Sequence, residues 1–272
     1  MRLGIFAKTF PGTDPSAVLP AVKQAGYETT QFNLACAGLP SMPDAVPADA
    51  IESIGAAVQS SGVSLAALSG TYNMAHPDRS VRDDGLRRLG VVIKTAASLG
   101  IPLVTLCTGS RNIADQWAYH PENATPSAWC DMAAEMGKAL ALAEDAGIDL
   151  GIEPEQANIV TSASDATRLI ADMRSKRLKI VLDPANLFEY ATPDEARTIV
   201  AAAVGEAAGH IAMAHAKDRH GDARFATAGQ GIVDFPDFVA RLKAVGFGGA
   251  LVTHGLSADE APEVAAFLRG LL

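Results

Sequence analysis

Four residues of metal-binding type recur at near-constant intervals in the second half of the chain. Glu153 lies in DLGIEPE, Asp183 in KIVLDPAN, His215 in IAMAHAKD and His254 in ALVTHGL. They stand 30, 32 and 39 residues apart, and each closes a short apolar run. One such residue alone reads as a cap or a salt-bridge partner. Four at the same place in four successive runs predict a shared site. Two carboxylates and two imidazoles suit one borderline divalent ion, Mn²⁺, Co²⁺, Zn²⁺ or Fe²⁺, better than Mg²⁺, which prefers oxygen donors.

An ion held this way acts as a Lewis acid on a carbonyl and steadies the enediolate left when the neighbouring C–H is deprotonated. Glu153 is the first candidate to take that proton, with Glu155 and His76 as alternative acid–base groups. Lys217 follows His215 by two residues. It is placed either to neutralise a substrate oxyanion, carboxylate or phosphate, or to pair with Asp218 at the surface. Lys8, after the first apolar run, is placed similarly. Arg111, Trp117 and His120 fall in the long segment TGSRNIADQWAYHPENAT at 108–125, which suits a lid over a polar substrate. Packing onto a rim is the other reading of Trp117. Asn33, Asn73 and Asn186 are candidate hydroxyl-binding groups or loop caps. Cys107 reads as core, because nothing in the sequence activates its thiol.

The elements that must position these groups follow one rhythm. Eight short runs rich in Val, Ile and Leu, at 3–7, 29–34, 63–68, 103–107, 150–153, 179–183, 210–215 and 250–254, read as strands. A helix-like segment follows each, at 15–25, 48–61, 80–99, 126–146, 162–175, 193–208, 235–245 and 258–271. Helix starts are marked by Asp14-Pro15, by the capping box Thr192-Pro193-Asp194-Glu195, and by Asp234 and Ser257 with acids three residues on. Gly26, Gly62, Gly100, Gly147 and Gly246 mark helix ends. Pro20 falls inside the first helix and predicts a kink or an irregular turn.

Eight strand–helix units in about 250 residues predict a single-domain α/β fold over 1–272, a (β/α)8 TIM barrel. An open doubly wound sheet competes, but no G-x-G-x-x-G follows the first strand. The long strand-to-helix connections 35–47, 108–125 and 216–233 belong on the C-terminal face of a barrel, where active sites are built. Side chains alternate along a strand, so Glu153, Asp183, His215 and His254, each the last residue of its run, point into the mouth.

Composition narrows the partners. With 49% apolar and 19% charged residues the chain can bury a large core. A net charge of −9 argues against tracking a phosphate backbone. Three scattered cysteines make neither a disulfide framework nor a thiolate zinc site. The opening MRLGIFAKTFPG is apolar too briefly for a signal peptide, and no run approaches about 18 apolar residues. The expectation is a cytoplasmic protein with a small polyhydroxy substrate, no nucleic acid and no membrane; homo-oligomerisation stays open.

The chain resembles the xylose-isomerase-like barrel superfamily, and within it the sugar phosphate isomerase/epimerase family. The resemblance spans essentially the whole chain. It rests on the order and spacing of G-I-F near the start, A-G-Y at 25–27, S-L-G-I at 98–101, I-E-P-E at 152–155, L-D-P-A-N at 182–186, H-A-K-D at 215–218, G-Q-G at 229–231 and G-F-G-G-A-L-V at 246–252. It implies a divalent-metal-dependent isomerase or epimerase of a small sugar, keto-sugar or sugar derivative. The family's ligand set of Glu, Asp, His and Glu carries over to Glu153, Asp183 and His215, but the fourth position holds His254, which reads as the fourth ligand or as a free catalytic base. Many epimerases of the family have His three residues after the Asp; here it is Asn186. A two-glutamate proton shuttle is therefore missing one member. That departure brings forward a lyase resembling inosose dehydratase. An endonuclease IV-like enzyme would need further ligands and a basic groove. A non-catalytic barrel is the remaining alternative.

Overall fold

The computed structural model describes residues 1–272. Eight parallel strands close into a barrel: β1 (Arg2–Phe6), β2 (Thr29–Phe32), β3 (Ser64–Ser69), β4 (Leu103–Leu106), β5 (Asp149–Ile152), β6 (Leu178–Leu182), β7 (Ile211–Ala216) and β8 (Ala250–Thr253). Each strand pairs with its sequence neighbour, and β1 closes on β8 through Arg2 opposite Ala250. Eight helices alternate with them: α1 (Pro15–Gln24), α2 (Ala48–Ser61), α3 (Arg79–Ser98), α4 (Pro126–Ala146), α5 (Ala163–Met173), α6 (Pro193–Glu206), α7 (Phe235–Ala244) and α8 (Ala261–Arg269). The fold is the single TIM barrel that the eightfold rhythm predicts. No helix is long and apolar enough to cross a membrane.

Three of the predicted caps form, at Asp14, Thr192 and Asp234, while Ser257 does not cap the last helix. Asp14 accepts from Ser16 N, Asp234 accepts from Asp237 N, and Thr192 and Glu195 complete their reciprocal box. Helix α1 runs on through Pro20. The last helix starts later than its sequence suggests. The Ser257 amide and hydroxyl both donate to the Glu260 side chain, which also accepts from Thr227 Oγ1, so residues 258–260 form a turn. Pro262 then sits in the first turn of α8. Within 216–233 the chain also makes a two-residue antiparallel pair, Asp218–Arg219 against Phe225–Ala226, too short to leave a periodic signal.

Most of the core lies between sheet and helices. A second, small apolar cluster of Ala66, Ala67, Leu103, Val181, Met213, Ala250 and Val252 fills the barrel. Ala67, Leu103, Val181, Met213 and Val252 each stand two residues before a polar side chain of the mouth. With a period of two, the residue that plugs the barrel and the residue that faces the cavity share one side of the strand.

Candidate functional site

Each strand delivers one inward side chain to the C-terminal mouth: Phe6, Gln31, Ser69, Thr105, Glu153, Asp183, His215 and His254, in order from β1 to β8. All but the fully buried Asp183 line a cavity of about 500 Å³, and only three of its 17 lining residues are apolar. Such a lining suits a hydroxyl-rich ligand.

Glu153, Asp183, His215 and His254 form one cluster, with a ligand atom of each within 4.8 Å of the others. His215 Nδ1 is 3.1 Å from Glu153 Oε1 and 3.7 Å from Asp183 Oδ2, and His254 Nε2 is 3.1 Å from Asp183 Oδ2. Donors around one ion at roughly 2.0–2.2 Å lie at most about 4.4 Å apart, so small side-chain adjustments fit this set to a single cation. Asp183 Oδ1 accepts from Ala185 N at 2.9 Å and fixes the carboxylate at the start of the short helical turn Pro184–Asn186.

The groups perturb one another. Burial alone would raise Asp183, yet Lys217 and hydrogen bonds from both imidazoles hold it well below the usual carboxylate range. Burial favours a neutral His215, but the Glu153 charge and bonds to both carboxylates push it up to about 9. His254 goes the other way, lowered by burial and by the neighbouring His215. Glu155 also lines the cavity; burial and then the Glu153 charge push it up to about 7.

Lys217 is buried in the mouth. Its Nζ donates to Asn186 Oδ1 at 2.6 Å, lies 3.5 Å from Asp183 Oδ2, and sits 3.9 Å above the Phe225 ring. Asn186 Nδ2 in turn donates to Glu153 Oε1 at 2.7 Å. The surface pairing of Lys217 with Asp218 does not occur. Asp218 is wholly buried, and its carboxylate accepts from the backbone amides of Arg219, Gly229, Gly231 and Val233. A Cβ on Gly231 would meet Asp218 Oδ1 at 2.3 Å, which accounts for the second glycine of G-Q-G.

Lys8, Asn33, Trp117 and Asn186 line the cavity as the sequence suggests. Asn33 also caps its own loop, its Oδ1 accepting from Ala35 N and Ser41 Oγ. Besides the buried Asp183, three expected site residues lie outside the lining. Asn73 is spent on the neighbouring loop, accepting from Ser110 N and donating to Ser110 O. Arg111 is buried against Asp131, at 2.6 Å, and the Ala75 carbonyl, so it anchors the 108–125 segment and leaves Trp117 with Gln116 to face the cavity. His76 stands at the entry to α3, where its Nδ1 accepts from Asp78 N. Cys107 is buried, and burial raises its thiol. The sequence reading missed Gln31, Ser69 and Thr105. Their one signal was a polar residue at inward parity near the C-terminal end of a strand.

The model of the xylose isomerase-like TIM barrel family matches residues 19–271. No curated protein matches the sequence. Among solved structures, the chain is similar to 3-keto-D-glucoside 4-epimerase from E. coli, at 17% identity, 99% of each chain covered and a TM-score of 0.78. It is similar to an L-ribulose 3-epimerase at 20% identity, covering 99% of this chain and 92% of that one, with a TM-score of 0.77. It is also similar to D-psicose 3-epimerase from Clostridium cellulolyticum H10, at 16% identity, with 100% and 99% covered and a TM-score of 0.76. At these identities the likeness is one of fold.

Proposed function

The chain belongs to the xylose isomerase-like TIM barrel family, and on that premise we propose that it is a divalent-metal-dependent isomerase or epimerase of a small sugar, keto-sugar or sugar derivative. The observation that carries this reading is the cluster of Glu153, Asp183, His215 and His254 beside a polar cavity of about 500 Å³. These four residues would hold the ion, Mn²⁺, Co²⁺ or Zn²⁺ in preference to Mg²⁺. A bound divalent cation supplies Lewis acidity toward adjacent carbonyl and hydroxyl oxygens of the substrate.

The chain's own groups do the rest. Glu153 takes the proton from the carbon, its Oε1 steadied by Asn186 and His215. Glu155, in the same cavity, is the partner acid. Lys217 brings a positive charge beside the developing oxyanion, and Asn186 and Asp183 hold its ammonium in place. Lys8, Asn33 and Asn186 bind substrate oxygens, and Trp117 covers them. The similar structures named for keto-sugar epimerases support the substrate class. A net charge of −9 supports a small polyhydroxy ligand over nucleic acid.

His254 favours a second reading. The last strand ends in an imidazole bonded to Asp183, so it offers no second carboxylate for a proton on the far face of the substrate. Elimination of a hydroxyl needs one base and an acid at the leaving group, and a dehydratase of a similar polyol meets that requirement. Incubation with Mn²⁺ and a panel of ketoses, inososes and sugar acids in D₂O tests both. Solvent deuterium at carbon without loss of water identifies isomerisation or epimerisation. Loss of water identifies the dehydratase. Metal-loaded protein that leaves the whole panel unlabelled and intact refutes the catalytic reading.

A further inference from the structure

We propose that Gln31 is a positioning residue that makes Nδ1 the metal-binding nitrogen of His215. The proposal rests on the metal-centre reading above and extends it to the opposite wall of the barrel. His215 presents Nδ1 to Glu153 and Asp183, while its Nε2 lies 2.8 Å from Gln31 Oε1. Both side chains are buried. A neutral imidazole carries its proton on one nitrogen, and the partner of that nitrogen decides which one is left to bind. An amide oxygen accepts only, so Nε2 keeps the proton and Nδ1 keeps its lone pair for the ion.

The orientation of the Gln31 amide is itself determined. Its Nε2 lies 3.1 Å from Ser69 Oγ and 3.1 Å from Thr105 Oγ1. Two N–H groups meet two hydroxyl oxygens. Turning the amide over would leave one buried N–H without an acceptor, which costs roughly 1–3 kcal/mol. Ser69 and Thr105 on β3 and β4 thus orient Gln31 on β2, and Gln31 orients His215 on β7. Outer partners of this kind usually raise the basicity of a ligating imidazole and fix its ring. A neutral amide does so without adding a charge to a site that already holds the Glu153, Asp183 and Glu155 carboxyl groups.

The test compares Mn²⁺ and Zn²⁺ affinity by calorimetry in the wild type, Gln31→Leu and Gln31→Glu, with melting curves to confirm folding. Gln31→Leu removes the acceptor and should weaken binding roughly 10–100-fold. Gln31→Glu keeps an acceptor and should hold affinity within a few-fold of wild type or tighten it. Equal affinity in Gln31→Leu and wild type overturns the proposal while leaving the metal centre intact. A wild type that binds neither ion overturns the metal centre and this inference with it. Should Gln31→Leu not fold, ¹⁵N NMR of the His215 ring in Zn²⁺-loaded wild type decides the matter. A protonated Nε2 supports the assignment, and an Nε2 without a proton refutes it.

Discussion

Strands β5–β8 deliver Glu153, Asp183, His215 and His254 to the mouth, whereas β1–β4 deliver Phe6, Gln31, Ser69 and Thr105. The four side chains from one half are all ionisable, and the four from the other are all neutral. The ionisable half is held by charge: His215 and His254 each contact Asp183, and Lys217 sits 3.5 Å from the same carboxylate. Buried charges of this kind are costly unless paired, and here they pair with one another across strands. The neutral half is held by three hydrogen bonds of Gln31, to His215, Ser69 and Thr105, each worth about 1 kcal/mol. The difference separates two tasks. Charged groups set what binds, and neutral groups set how the charged ones point.

The largest effect should come from the centre of the ionisable half. Asp183 contacts both imidazoles and Lys217, so Asp183→Ala should weaken Mn²⁺ binding well beyond the roughly 10–100-fold expected of an outer partner. Metal analysis after gel filtration checks this, and unchanged stoichiometry would break the comparison at its base.

Glu153→Gln keeps a ligand oxygen and removes the base. At saturating metal, turnover should fall by roughly 10²–10⁴-fold. Single-turnover assays with the substrate found in the panel measure it, and a fall of less than tenfold would move the base to Glu155.

Proton competition distinguishes the halves next. In the metal-free protein His215 is raised to about 9, so near neutral pH its Nδ1 carries a proton that a cation must displace. Metal affinity should therefore rise about tenfold per pH unit up to about pH 9 and then flatten at this site. Calorimetry in buffers of different ionisation enthalpy should show about one proton released per ion at neutral pH. A pH-independent affinity between 6 and 8 would contradict this sign.

The smallest effect belongs to the neutral half. Thr105→Val removes one of the two hydroxyls that receive the Gln31 amide and should lower stability by about 1 kcal/mol. Stoichiometric metal binding should survive. Complete loss of the metal from a folded Thr105→Val protein would show that the two halves do not divide the work in this way.

Most of the architecture was legible because it is written locally. The eight apolar runs, the capping box at Thr192 and the glycine stops are patterns within a few residues, and each formed close to its expected place. The ionisable half was legible for the same reason. Its four residues repeat one motif, an apolar run ending in a metal-type side chain, and strand parity sends all four inward. The neutral half carried no such repeat. Gln31 sits in TTQF, and nothing in those four letters says that its amide spans the barrel to His215 and Thr105. Asn73 and Arg111 failed the other way. Both look like ligand groups, but Asn73 is consumed by the Ser110 backbone, and Arg111 by the Ala75 carbonyl and the Asp131 carboxylate on α4.

The pair Lys217 and Asp218 shows where sequence alone stops. The chain determined by itself that a cation and an anion follow His215. Only closure of the barrel sent Lys217 inward to Asn186 and Asp183, and only the return of the 216–233 segment brought four backbone amides to Asp218. The physical reason is reach. Periodicity and capping act between residues a few positions apart. Apart from the adjoining Arg219 amide, the polar partners of Lys217 and Asp218 lie 11 to 34 positions away, and they become neighbours only when the chain folds.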